Sequence, residues 1–447
     1  MFSTFRRAGR APAAQKAPFR PLWLQNSFRG SLAVLLFMTV VIPNSLPLPT
    51  MGMMFLTALL AWRMVDFNTP MMRVVWMHVA SSAVTLLYLA VGMSAGAPNE
   101  AFMQILFIYI ISPALWILIA GGVLATLQTS QFESWMERYT FLGMLSVALF
   151  FYLFLTYGKD GVSFFIDPEN ANVSLSEGAA GATMFVYGSL IFMSAALFAL
   201  LASGVSNIRL YIMLGLLAIT AVTSGRSALM LATPVGLLAG YLLRPGLYGG
   251  QAASLPAVSA RQILLAIGLC VVFFVLLGVF TDIDVFDSLG RFMDEVGAGG
   301  GSERTEQAAA LFNGFVQTYG LGAGHGIGVS YIRSLQYPWR YEIVWLALLY
   351  KVGLAGLLVY AYPFASYALG VFNAWKRRRL TLFDIYLFAG FSSAFLASAT
   401  NPYIEAYAFQ WMYVLPMVIF MVRHPGSMQW FGNRRQRHAV VRQPLGR

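Results

Sequence analysis

Apolar positions in this chain do not alternate with polar ones. They gather into runs about 15–25 residues long, the length a hydrocarbon-spanning helix needs. The runs fall at 31–48, 50–65, 73–93, 102–125, 139–157, 181–204, 208–224, 227–243, 262–281, 342–371, 382–400 and 407–422. The pattern predicts an all-α, polytopic integral membrane protein with about twelve transmembrane helices. A spanning β-barrel needs period-two alternation, and the continuous runs lack it. Two places in the count are weak. The 50–65 run is short and follows the turn "PNSLPLPT", and only "SGR" separates 208–224 from 227–243.

One long polar-rich segment, 282–341, interrupts the runs. Within it, Ser302 reads as a cap and 303–318 as an amphipathic helix. At 100° per residue, Ala308, Leu311, Phe312, Phe315, Val316 and Tyr319 share one face, which suits a helix lying on a membrane surface. The organisation is then a basic tail 1–30, spans one to nine over 31–281, the loop 282–341, spans ten to twelve over 342–422, and a basic tail 423–447. The first run has prolines and no small-residue cleavage step, so it reads as an uncleaved helix.

Composition agrees: 58% of the 447 residues are hydrophobic and 11% charged. The net charge of +11 could suggest nucleic acid. With both termini placed in the cytoplasm, however, most of the 29 basic residues fall on the inner side, including the cluster Lys376–Arg379, and most acidic residues fall outside. The charge is therefore a topology signal, and no nucleic-acid partner is expected. The single cysteine, Cys270, excludes an internal disulfide and a cysteine metal site.

The basic residues left over carry the candidate chemistry. Arg226 sits at the external end of a span, and Arg291, Arg304, Arg333 and Arg340 lie in the long loop. Arginine matches phosphate geometry, and Arg304 falls beside a helix N-terminus, where free N–H groups also attract anions. Glu342 sits where the loop re-enters the membrane and is the first candidate base. His325, in "GLGAGHGIG", is the second. Alternating glycines there predict a mobile lid, and the spacing is not a dinucleotide fingerprint. Asp282, Asp284 and Asp287 form a D-x-D-like run, read as acids at a helix exit, so no metal and no cofactor is expected. Lys351 is buried in a span without an evident partner.

Three stretches, in this order and spacing, carry a resemblance. They are "TSGRSALMLATPVGLLAG" with Arg226, "SERTEQAAALFNGFVQTYGLGAG" with Arg304, and Gly353-x-x-Gly356 on the span after the loop. Over about residues 205–370 the chain resembles the superfamily of O-antigen ligases and of O-antigen and exopolysaccharide polymerases. The resemblance implies metal-independent glycosyl transfer at the periplasmic face of the bacterial inner membrane, from a glycan on undecaprenyl pyrophosphate. It implies that 282–341 is a periplasmic loop and that arginines (Arg226, Arg304, Arg291) hold the pyrophosphate while a base (Glu342 or His325) activates the acceptor hydroxyl. Arg333, Arg340 and Tyr341 are weaker candidates for the glycan. Ligases of this superfamily carry a histidine where counting back from Gly353 gives Glu342, which favours a polymerase. A chain-length regulator or other assembly proteins are expected partners. An O-antigen ligase acting on lipid A core or protein, and a polysaccharide or lipid transporter, remain the alternatives.

Overall fold

The computed structural model describes residues 21–43, 46–162, 172–176, 179–183, 187–224, 227–248, 301–335, 337–399 and 401–427. The regular structure of the described residues is helical apart from one short antiparallel hairpin, β1 (Asn172–Ser176) and β2 (Ala179–Thr183). Helix α1 (Leu22–Leu36) begins inside the segment expected to be tail and runs on through a π-helical turn, Phe37–Val41. There follow α2 (Pro47–Trp62), α3 (Thr69–Ser94), α4 (Asn99–Leu106) and α5 (Ser112–Thr126), the last two joined by a π-helical turn at Phe107–Ile111. Next come α6 (Thr129–Val162), α7 (Tyr187–Ala202), α8 (Ile208–Ser224) and α9 (Ser227–Leu243). After the long segment come α10 (Gly301–Gln317), α11 (Val344–Lys376), α12 (Leu382–Ala397) and α13 (Trp411–Arg423).

Among the described residues, four stretches are long and apolar enough to cross a membrane: Leu22–Val41, Thr69–Ser94, Asn99–Thr126 and Val344–Lys376. Five shorter apolar helices accompany them. The expected ninth span, 262–281, lies outside the described residues. Local signals explain several boundaries. Asn68 caps α3 by accepting from the Met71 amide at 3.1 Å. Thr381 and Asp384 form a capping box that starts α12.

Large side chains such as Trp116, Phe192, Phe383 and Trp411 fill the interior, while Leu59, Trp76, Leu87 and Leu358 stay exposed on the outer surface. That is the distribution of a bundle bathed in lipid, where apolar surface outside costs nothing. Gly236 and Gly240 let α9 lie directly on α7: an added Cβ would come within 2.3 Å of the Ala195 and Ala199 carbonyl oxygens. Spacing of this kind brings backbones together where packing, not hydrophobic exclusion, drives association.

The expected tenth span is not one helix. Gly353, at φ 64° and ψ −176°, breaks α11. Along a straight helix Trp345 and Phe364 would lie about 28 Å apart, yet their ring centroids are 6.5 Å apart. The segment Val344–Val352 therefore folds back along Leu354–Lys376, and only the latter continues as a long helix. Alternating apolar runs could not reveal this, because both arms of the hairpin are apolar.

Candidate functional site

The break at Gly353 organises everything around it. A continuous helix would pair the Leu354 amide with the Tyr350 carbonyl. Here the Leu354 amide donates to Gly320 O at 3.1 Å, and the Tyr350 and Lys351 carbonyls accept from the Ala323 and Gly324 amides, both at 2.9 Å. The "GLGAGHGIG" segment thus supplies the partners that the broken helix lost. Its glycines are required by proximity. A Cβ on Gly322 would meet the Gly353 nitrogen at 2.5 Å, and one on Gly324 the Gly92 nitrogen of α3 at 2.4 Å. The expectation of a mobile lid is corrected. The loop is a packed insert between α3 and the helix break, held further by Tyr88, whose hydroxyl donates to Leu321 O at 2.7 Å.

His325 is accordingly a buried residue and not a contact on a lid. It is 0% exposed, and its amide donates to the Tyr88 carbonyl at 2.8 Å. Its Nε2 is 3.1 Å from the Tyr360 hydroxyl, which is 2.7 Å from Thr85 Oγ1. Thr85 spends its own proton on the Ser81 carbonyl. Tyr360 then donates to Thr85 and His325 Nε2–H donates to Tyr360. Nδ1 is left as a buried acceptor without a partner. Burial, and then the Lys351 charge, push the imidazole down to about 3. Both nitrogens lie inside protein, so in this arrangement His325 reaches no external substrate.

Helix α10 runs beside the first arm of α11. Its inward seam is Gln307, Leu311 and Gly314, where a Cβ would strike the Tyr350 ring. The expected apolar face is only partly used: Leu311 is buried, but Phe312, Val316 and Tyr319 point outward. Gln307, a polar residue outside the expected apolar face, is buried. Its Oε1 accepts from the Glu342 and Ile343 amides at 3.0 and 3.1 Å. This satisfies amides at the N-terminus of α11 that have no partner within the helix.

Arg304, Arg333 and Glu342, separated along the chain, meet here. Arg304 Nε donates to Glu342 Oε2 at 2.9 Å, and an Arg333 Nη donates to Oε1 at 2.7 Å. The side chains are 33%, 40% and 22% exposed, so the cluster opens outward. Tyr341 is buried beside it. Its hydroxyl accepts from the Val329 amide, and burial pushes it up to about 12. Arg340 stacks over Tyr337, 5.6 Å from the ring centroid. Arg226 and Arg291 lie outside the described residues, as do Asp282, Asp284 and Asp287. Among the described residues no group of histidine, cysteine and carboxylate side chains could hold a metal ion.

Sequence reasoning missed a second polar group below the loop. Lys351 Nζ is 3.9 Å from Glu405 Oε1 and 5.8 Å from the Tyr341 ring centroid. The Tyr109 hydroxyl donates to the same Glu405 oxygen. Tyr109 sits on the π-helical turn of α4–α5, where Gln410 Nε2 donates to the Ile108 carbonyl at 2.8 Å. Glu405 was visible as a lone acid between two apolar runs, in "NPYIEAYAF". Nothing in the sequence marked Tyr109. Beneath this group is a mainly apolar cavity of about 130 Å³, lined by Val74, Met77, Leu348, Phe364 and Met417, with Tyr109 and Tyr360 in its wall. Chemically, the arrangement offers an outward pair of guanidiniums bridged by a carboxylate, and separately a buried ion pair and a mainly apolar cavity. Neither a protein-family model nor a curated protein matches this chain.

Proposed function

We propose that this membrane protein is a glycosyltransferase of the polysaccharide-polymerase kind, working at the periplasmic face of a bacterial inner membrane with both termini cytoplasmic. It takes a glycan from undecaprenyl pyrophosphate and passes it to the hydroxyl of a second lipid-linked unit, without a metal. The observation that carries the reading is the convergence of Arg304 and Arg333 on Glu342 in an outward-facing cluster. Two guanidiniums suit a diphosphate, whose oxygens accept bidentate bonds. They stabilise the charge that develops as the leaving group departs. The exposed apolar side chains Phe312 and Val316 on α10, the helix that carries Arg304, suit a lipid-borne donor.

The test is reconstitution of the full chain in vesicles with a polyprenyl-diphosphate-linked oligosaccharide, reading released polyprenyl diphosphate and product length. Arg304→Ala and Arg333→Ala each lower the rate by about 10²–10³-fold. Normal product from both variants sinks the reading. Growth of lipid-linked polymer identifies a polymerase, and transfer only to an acceptor without a lipid diphosphate identifies a ligase. A second reading, a lipid-linked glycan transporter, is favoured by the broken helix at Gly353 beside the buried Lys351–Glu405 pair. Movement of the substrate between leaflets with no new glycosidic bond would support it.

A further inference from the structure

We infer that Glu342 is the resting occupant of the arginine pair and becomes free to act as a base only when a diphosphate displaces it. This rests on the reading above and adds an order of events to it. The two carboxylate oxygens of Glu342 are divided between the two guanidiniums, one bond to each. The carboxylate thus bridges the arginines as a doubly anchored anion does. Each oxygen keeps a free lone pair, but the side chain is held between the two guanidiniums, in the place that a diphosphate would take.

The grip is built to be exchanged. A guanidinium has five N–H donors. Among the described residues, Arg304 and Arg333 each spend one on a side chain, the bond to Glu342. Two cations against one carboxylate leave a net positive charge, and both arginines are more than a quarter exposed. A diphosphate carries more charge and more acceptor oxygens than a carboxylate, so it takes the pair in preference. The backbone need not move, since Gln307 holds the Glu342 and Ile343 amides independently of the side chain. The freed carboxylate swings only through its own torsions.

The balanced step is then as follows. The acceptor hydroxyl gives its proton to the released Glu342 carboxylate, and its oxygen bonds to the anomeric carbon. The bond from that carbon to the diphosphate oxygen breaks, and the electron pair leaves with polyprenyl diphosphate, which stays on Arg304 and Arg333. When the lipid diphosphate departs, Glu342 gives up its proton to solvent and closes on the arginines again.

The probe is inorganic pyrophosphate, titrated by calorimetry into the full-length protein in detergent. Glu342→Gln removes the competing charge and tightens pyrophosphate binding about tenfold, the loss of one charge-assisted bond that must be broken. Arg304→Ala weakens binding by at least as much. If Glu342→Gln binds no tighter than wild type while Arg304→Ala still binds more weakly, Glu342 is an organiser of the arginines and the inference is overturned, with the diphosphate reading intact. If wild type binds no pyrophosphate, or Arg304→Ala changes nothing, that reading falls as well. Should Glu342→Gln not fold, Glu342→Asp serves. Its shorter carboxylate reaches one guanidinium only, so binding tightens by a smaller factor, and equal or weaker binding overturns the inference.

Discussion

Lys351 Nζ stands 3.9 Å from Glu405 Oε1, and the Tyr109 hydroxyl donates to that same oxygen. The pair ties the first arm of the broken α11 to the turn before α13, with both side chains almost wholly buried. An ion at such a site is costly unless its partner is present. Lys351→Met therefore leaves Glu405 as an uncompensated buried charge and destabilises the fold by about 3–5 kcal/mol. The double variant Lys351→Met, Glu405→Gln recovers most of the loss, because no charge is then left alone. Thermal unfolding in detergent across the four-member cycle checks this; a loss in the double variant equal to the sum of the two single losses would show that the pair is not coupled.

Gly353 carries the fold-back. Its φ of 64° with ψ −176° lies where only glycine is comfortable, and an added Cβ would sit 2.5 Å from both Gly320 O and Leu321 O. Gly353→Ala costs about 1–3 kcal/mol from the dihedral alone, with the backbone overlap in addition. Gly52→Ala is the control: it lies inside α2, and an added Cβ there would meet nothing within 4 Å. The expected outcome is lost thermal stability and, on the proposed function, lost transfer activity for the first, and a smaller change for the second. Similar behaviour of the two would mean that the break is not needed.

The helical class and the membrane environment were legible because burial in lipid writes itself as uninterrupted apolar length. Arg304 stood out as a candidate because a positive charge on the outer side breaks the topology pattern, and Glu342 because it sits where the loop re-enters the membrane. Their meeting was not legible. It depends on the turn at Gly353, and Gly353 was visible only as half of a G-x-x-G. Histidine 325 shows the opposite error. Five alternating glycines read as slack, whereas Gly322 and Gly324 are there because backbone meets backbone on either side of the loop. Lys351 was seen without its partner, because Glu405 lies far along the chain on a separate turn.

The burial of His325 fixes a pH response. Its folded-state value, about 3, is below the ordinary 6.5. The unfolded chain therefore takes up a proton as pH falls below 6.5, while the folded one stays neutral until about 3. The folded state loses stability over that window, by up to about 1.4 kcal/mol per pH unit. His325→Gln keeps a donor for Tyr360 and removes the titration. Compared with wild type, it shows a shallower fall in melting temperature between pH 6.5 and 5. The same burial predicts that the transfer rate has no inflection near 6.5 belonging to His325; an inflection that His325→Gln abolishes would put the imidazole in the chemistry.

Gln307 offers the sharpest separation of positioning from charge. It bears no charge, faces no solvent, and its carbonyl oxygen is shared by the amides of Glu342 and Ile343. Gln307→Leu fills similar space but leaves two amides at the start of α11 without an acceptor, at about 1–3 kcal/mol for each group that finds no water. Glu342 then loses the fixed backbone from which its carboxylate reaches both arginines. The expected result is a protein that still assembles in the membrane, melts several degrees lower and, on the proposed function, transfers glycan slowly. Gln307→Glu discriminates between the two effects. It restores an acceptor for both amides, so stability returns, but it sets a second carboxylate one turn from Arg304 on α10, which competes for that guanidinium. Stability recovered without activity would mark the Arg304–Glu342 geometry as the functional requirement. Recovery of both would show that Gln307 serves only to close a helix end.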